Sequence, residues 1–117
     1  MIIKFKPFQV ERPWGYFRQF SENTPVTVKI IVVKPHEILS LQSHTKREEF
    51  WHVISGQGMA EIGNDKRVIK TGAEMTIPLG IKHRVKAGAK GLEVMEISSG
   101  KFDESDVIHY EDKYGRI

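Results

Sequence analysis

Gln42 and His44 stand two residues apart, and Glu49 follows five residues later. In an extended chain alternate side chains share a face, so Gln42 and His44 point the same way. The residues between, Thr45, Lys46, Arg47 and Glu48, are polar and charged and suffice for a tight connection. Glu49 then opens an apolar-aromatic run, Phe50-Trp51-His52-Val53-Ile54, which ends at Ser55-Gly56 and reads as a strand closed by a turn. As a hairpin, this stretch returns Glu49 to the face of Gln42 and His44. An amide, an imidazole and a carboxylate then converge, which is the donor chemistry of a divalent cation. By the same alternation Trp51 and Val53 share the face of Glu49 and line the site. His52 points away with Phe50 and Ile54.

A fourth donor is found downstream. Gly72-Ala73-Glu74-Met75-Thr76-Ile77-Pro78-Leu79-Gly80-Ile81-Lys82-His83 reads as a turn glycine, a strand, a Pro-Leu-Gly turn and a histidine opening the next strand. Together the two segments resemble the two motifs of the cupin superfamily. The first of its paired histidines is here Gln42, the second is His44, the acid is Glu49, Gly56 falls in register and His83 takes the last metal position. His36 stands where the opening glycine is expected and Ala87 where an Asn often closes the second motif. The glutamine points to a subfamily. Arg12-Pro13-Trp14-Gly15, Leu39-Ser40-Leu41-Gln42, Arg47-x-Glu49-x-Trp51, Glu96-Ile97-Ser98-Ser99-Gly100 and Tyr110 to Arg116 resemble the type II mannose-6-phosphate isomerase domain, which is often the C-terminal part of a bifunctional enzyme that also makes GDP-mannose. Thr45, Lys46 and Phe50 depart from that pattern, where histidines are more frequent.

The resemblance implies an all-β, single-domain cupin barrel, a jelly roll, holding one divalent ion on Gln42, His44, Glu49 and His83. Zinc is the first expectation, and the donor set equally suits manganese, cobalt, nickel or ferrous iron. It implies interconversion of mannose 6-phosphate and fructose 6-phosphate. Arg47 and Arg116 are the expected anchors for the phosphate, since a guanidinium fork meets its oxygens two at a time. Arg12, Trp51 and Lys82 are further substrate contacts, with Arg84 in reserve. Glu49, Glu48 and Lys46 are candidates for carrying the proton, and Arg47 assists.

The composition agrees. A chain of 117 residues, 39% hydrophobic, suits one domain and leaves no room for a second catalytic one, so only isomerase chemistry is expected on this chain. The expected division is an arm over 1–25, a metal-binding barrel over 26–99 and a tail over 100–117. No apolar window of eighteen residues and no signal peptide is seen, and the cysteine count is zero, so a cytoplasmic location is expected. Net charge is +3 with a pI near 9.2, and the basic residues are scattered among acids. That excludes a nucleic-acid footprint and suits an anionic metabolite.

The rest of the chain must position these groups. Short β-branched segments about ten residues apart, with turn signals between them, predict a sandwich or barrel. Val26 to Val33 reads as a central strand, Pro7 and Pro13 punctuate an irregular arm ahead of a strand over Tyr16–Phe20, and Met59–Ile62 pairs with Arg67–Lys70 through Gly63-Asn64-Asp65. Ala87 to Gly91 reads as a loop before a strand in which Leu92, Val94 and Glu96 share a face. Asp103 to Ile108 reads as a brief helical turn. His36 and His109 read as surface or core histidines. Met1–Lys6 reads as an edge strand exchanged in a homodimer, which Pro at Ile3 would weaken. A non-catalytic sugar- or sugar-phosphate-binding module is the alternative, and an oxygen-using enzyme a third class.

Overall fold

The structure, a computed structural model, describes residues 5–115, and no helix occurs among them. A hairpin of β1 (Phe8–Arg12) and β2 (Gly15–Gln19) forms a two-stranded sheet of its own. The barrel is made from β3 (Thr27–Val33), β4 (Leu41–Ser43), β5 (Arg47–Ile62), β6 (Asp65–Lys70), β7 (Glu74–Ile77), β8 (His83–Gly100) and β9 (Ile108–Glu111). All pairings are antiparallel.

Two strands organise it. β5 and β8 pair along their whole lengths, from Arg47 opposite Gly100 to Ile62 opposite His83. Near their middles the register shifts at Val53/Ser55 and Gly56/Gly58, and such bulges bend a strand. One half of the pair therefore serves a sheet with β7 and β3, the other a sheet with β6, β4 and β9. Glycine is what lets the strands touch at the bend. A Cβ on Gly58 would lie 2.2 Å from the Lys86 carbonyl oxygen, and one on Gly56 at 2.2 Å from that of Gly91. The core fills the space between the sheets, with Val53, Ala60, Ile69, Ile77, Val85 and Val94 at 2% exposure or less.

The all-β barrel and the hairpin closed by Gly63-Asn64 are as the sequence predicts, with Ile62 opposite Asp65. Several boundaries differ. Ser55-Gly56 and Ala87–Gly91 are bends within continuous strands, because two adjacent bulged strands can turn a corner without breaking their ladder. Phe8–Arg12 is a strand, since Pro7 and Pro13 flank it rather than interrupt it. Val26–Val33 is not central: among the described residues β3 pairs only with β8, and alternate side chains on it are exposed. The turn over 103–106 is not helical, and the tail over 100–117 supplies β9, paired with β4. The expected strand Met1–Lys6 lies mostly outside the described residues, as does Arg116.

Candidate metal centre

The donors sit where β4, β5 and β8 meet. Gln42 is the register partner of His83, and directly opposed residues of an antiparallel pair share a face. His44 follows β4 and Glu49 lies on β5, but the expected hairpin between them does not form: β4 pairs with β8 and β9, β5 with β6, β7 and β8, and the turn carries the chain from one sheet to the other. One atom each from His44, Glu49 and His83 falls within 4.8 Å of the others, and all three residues are buried.

Each histidine is oriented by its other nitrogen. Nδ1 of His44 lies 2.7 Å from the Asp106 carbonyl oxygen and Nδ1 of His83 is 2.9 Å from that of Ile81. A carbonyl oxygen only accepts, so both Nδ1 atoms carry the proton and both Nε2 atoms present a lone pair to Glu49. Nε2 of His44 is 3.5 Å from Glu49 Oε2, and Nε2 of His83 is 3.4 Å from Oε1. Glu49 Oε1 has no hydrogen-bond donor among the described residues and is buried. An acceptor facing an acceptor is relieved by a proton on Nε2 or by a cation between them. Two ligands about 2.0–2.2 Å from an ion at tetrahedral angles lie roughly 3.4 Å apart, which these separations match. The residues therefore fit a divalent ion.

Arg47 is part of the cluster. Its Nε donates to Glu49 Oε2 at 3.1 Å, Nη1 to the Asp103 carbonyl at 3.1 Å and Nη2 to the Nε2 lone pair of His44 at 3.3 Å. It is 5% exposed. The reason is the start of β5 at Arg47, which puts Arg47, Glu49 and Trp51 on one face by alternation. The guanidinium thus orients ligands and spends its fork on them. Trp51, edge-on to the His83 ring at 5.5 Å, closes the floor.

The segment after β8 closes the other side. The Asp106 carboxylate accepts from the backbone N–H groups of Thr45 and Lys46, at 3.0 and 2.9 Å, and from the Thr45 hydroxyl. Those N–H bonds hold its pKa at about 2. Phe102 lies between Arg47 and Lys29, 4.6 Å from each cation.

The cluster forms the floor of a cavity of about 330 Å³, within the range of small-molecule sites. Gln42, Arg47 and Trp51 line it as expected. Among the residues not expected there, four carry ionisable side chains: Lys29, Glu96, Glu104 and His109. His109 arrives on β9 opposite Gln42 and hydrogen-bonds Ser40 at 3.0 Å. Glu96 is 4% exposed, and a buried acid on an otherwise apolar strand face was the available signal for it. Burial, with the charge and hydrogen bond of Glu49 next to it, pushes Glu96 up to about 7. Burial also raises Glu49, but with His83 and His44 protonated at Nε2, the alternative to a cation between the acceptors, the hydrogen bond and charge of His83 and the charge of His44 outweigh that and hold it at about 2. Desolvation depresses His44, with Arg47 and His83 adding to it.

Other expected contacts fall elsewhere. Lys46 and Glu48 line no part of the cavity: Lys46 is exposed on the turn and Glu48 alternates to the opposite face of β5 from Glu49. Lys82 sits over the Tyr110 ring at 4.2 Å, and Arg12 lies over Phe17 on the hairpin, also off the cavity. Arg84 pairs with Glu61. His52 does face away, bound to Glu74 at 2.8 Å.

Comparison with known proteins points the same way. The family model described as "Mannose-6-phosphate isomerase C-terminal" matches residues 4–112. The xanthan biosynthesis protein XanB of Xanthomonas campestris pv. campestris is 39% identical over 110 residues, which is 92% of this chain and 24% of that protein. The mannose-1-phosphate guanylyltransferase of Escherichia coli K12 is 36% identical over 111 residues, 93% of this chain and 23% of that one. The chain thus spans about a quarter of these relatives. Among solved structures, a cupin protein from Bacteroides fragilis superposes with a TM-score of 0.60 at 19% identity over 71% of this chain and 75% of that one. A putative sugar phosphate isomerase from Acidithiobacillus ferrooxidans gives 0.59 at 23% identity over 67% and 51%. These likenesses show the cupin jelly roll.

Proposed function

Because the chain belongs to the family of mannose-6-phosphate isomerase C-terminal domains, we propose that it is a metal-dependent aldose–ketose isomerase acting on mannose 6-phosphate and fructose 6-phosphate. The observation that carries this reading is the buried, donor-less Oε1 of Glu49 facing the Nε2 lone pair of His83 on the floor of a sugar-sized cavity. In this reading Gln42, through its amide oxygen, joins His44, Glu49 and His83 as ligands. A divalent ion with open positions supplies the electrophile that stabilises charge developing on the sugar oxygens as a proton leaves carbon.

The chain's own groups do the rest. Arg47 holds Glu49 in place through its bond to Oε2, and its contact with His44 Nε2 gives way when that lone pair is taken up by an ion. Glu96 takes the proton from C2 and returns it to C1, because Glu49 is a ligand while Lys46 and Glu48 lie off the cavity. Lys29 takes the phosphate end in place of Arg47. Its ammonium stands on the cavity wall beside Glu104 at 3.3 Å, and Glu104 is exposed enough to give way. Ser40 and His109 face the sugar hydroxyls.

The test is exchange of the C2 hydrogen of mannose 6-phosphate with deuterated water, on protein stripped of metal and resupplied in turn with zinc, manganese, cobalt, nickel and ferrous iron. Exchange that appears only on resupply is expected. Absence of exchange with all five refutes the isomerase. The second reading, a sugar-phosphate-binding module without turnover, is favoured by the placement of Lys46 and Glu48 outside the cavity. Calorimetric binding of mannose 6-phosphate without any exchange would establish it.

A further inference from the structure

Among the described residues that line the cavity, one is exposed, and it is an acid. Glu104 keeps 78% of its side chain in solvent and so stands at the mouth, whereas His44, Glu49, Trp51 and His83 are buried at the floor. Its carboxylate lies 3.3 Å from Nζ of Lys29, whose side chain is 34% exposed. The acid is the more solvated partner of the pair.

The fold holds the two partners differently. Lys29 is in the middle of β3, and its ammonium also lies 4.6 Å from the centre of the Phe102 ring, a cation–π contact that keeps it in place without any acid. Glu104 belongs to the strap over 101–107 that joins β8 to β9, and the strap is pinned around it. The Asp106 N–H donates to the Asp103 carbonyl at 2.9 Å, and the N–H and hydroxyl of Ser105 donate to the Asp103 carboxylate at 2.9 and 2.7 Å. The Glu104 side chain can therefore leave Lys29 by rotating, with none of these bonds broken. Register sets the reach of a ligand at this point. Lys29 faces Glu96, Glu96 faces Trp51, and Glu49 is two residues further along β5. At about 4.8 Å per strand and about 3.3 Å per residue, the backbones of Lys29 and Glu49 are roughly 12 Å apart, which suits a small molecule with its reacting end on the donors and an anion at the mouth.

We propose that Glu104 is a tethered competitor for the anionic end of the substrate: its carboxylate keeps Lys29 until a ligand brings a phosphate to replace it, and the pair thereby selects sugar phosphates over neutral sugars. The inference rests on the reading of the cavity as a sugar-phosphate site and adds what governs entry to it. A phosphomonoester carries a charge of about −1.5 to −2 at neutral pH against the single charge of the carboxylate, so it displaces Glu104 from the ammonium. A sugar hydroxyl is uncharged, and hydrogen bonds to charged acceptors are roughly twice as strong as neutral ones. A neutral sugar thus leaves the pair closed and gains nothing from Lys29.

The experiment is a double-mutant cycle on the full chain with manganese present, read by titration calorimetry with mannose 6-phosphate and with mannose. Glu104→Gln should tighten mannose 6-phosphate binding about two- to fivefold, the worth of an exposed ion pair, and leave mannose unchanged. Lys29→Gln should weaken mannose 6-phosphate at least 10-fold, and Glu104→Gln added to it should change nothing further. Far-ultraviolet circular dichroism checks that each variant is folded, and Lys29→Met replaces a Lys29→Gln that is not. Glu104→Gln, on an exposed turn, is decisive alone: unchanged or weaker binding of mannose 6-phosphate overturns the proposal. So does equal tightening with Lys29 removed, equal tightening of mannose, or a wild type that binds mannose 6-phosphate no better than mannose. The expected binding pattern without exchange of the C2 hydrogen would refute the isomerase and leave the competitor established.

Discussion

The connection that carries His44 and the turn that carries Trp14 are both a few residues long, but the first leads from β4 to β5, which do not pair with each other, while the second closes the β1–β2 hairpin, and they end at opposite extremes of constraint. In the first, a third element intervenes. Asp106 takes both backbone N–H groups of the turn and, through its own carbonyl, the Nδ1 proton of His44. In the second, the hairpin touches its own barrel through Arg18 and Glu74, and its tip stands in solvent. Hairpin formation alone does not place a side chain for chemistry. A contact from another part of the chain does.

The sharpest way to break the comparison is at the constrained end. His83→Ala removes one ligand and leaves Glu49 with one imidazole, so affinity for a divalent ion should fall by more than about 100-fold, beyond the usual effect of an outer partner. Titration calorimetry with zinc or manganese reads this directly. His36→Ala, at an exposed residue far from the donors, should leave the affinity unchanged. Equal losses in both would mean that the cluster is not the binding site.

A smaller effect is expected one step outward. Asp106→Ala keeps the carbonyl that holds His44 but frees the segment bearing it. Metal affinity should then drop about 10- to 100-fold, as for other groups that orient a ligand. An unchanged affinity would show that β4 alone suffices to aim the imidazole.

These dependences explain which parts of the site could be read in advance. Gln42 and His44 follow from alternation along one strand, and Trp51 from the same rule applied to Glu49, whereas the return of Glu49 to their face comes from the crossing between sheets and not from the hairpin that the turn residues suggest. Arg47 joins the face of Glu49 because β5 begins two residues before the apolar run that Glu49 opens, and its guanidinium is then engaged with Glu49 and His44. Lys29, Glu96 and His109 come from strands remote in sequence. His109 was unreadable, since β9 has four residues and its register with β4 is set by tertiary packing. Glu96 was half readable: its strand face was recognised, and the cost of burying an acid there was the clue to a polar cavity. For the fold, the short spacing of strands gave the barrel, but Gly56 and Gly91 were mistaken for chain reversals. A glycine marks close approach and positive φ without saying whether the chain reverses or only bends.

The contact of Asp106 with the turn also predicts a pH dependence. Asp106 titrates at about 2 in the folded chain, below its ordinary 3.8, so the unfolded chain binds the proton first as pH falls. Its stabilising contribution is therefore complete above the ordinary value and is lost as pH drops from about 4 through about 2. Melting temperatures of wild type and Asp106→Asn should differ by a constant amount above pH 5 and converge below pH 2. Solvent screening near the surface keeps the gap to about 1 kcal/mol or less. A gap that widens on acidification would contradict that contact.

The smallest effect is expected at the unconstrained end. Trp14 is 73% exposed and sits on a hairpin whose pairing partners are only each other. Its truncation removes little that the monomer buries, so Trp14→Ala should change the denaturant midpoint of dilute, monomeric protein by less than about 0.5 kcal/mol. A tryptophan of the buried kind costs about 3–5 kcal/mol when truncated, and Trp51→Ala supplies that contrast within the same chain, at 2% exposure. A large loss in dilute solution would mean that the hairpin is anchored to its own barrel after all, and the two turns would then differ in location but not in constraint.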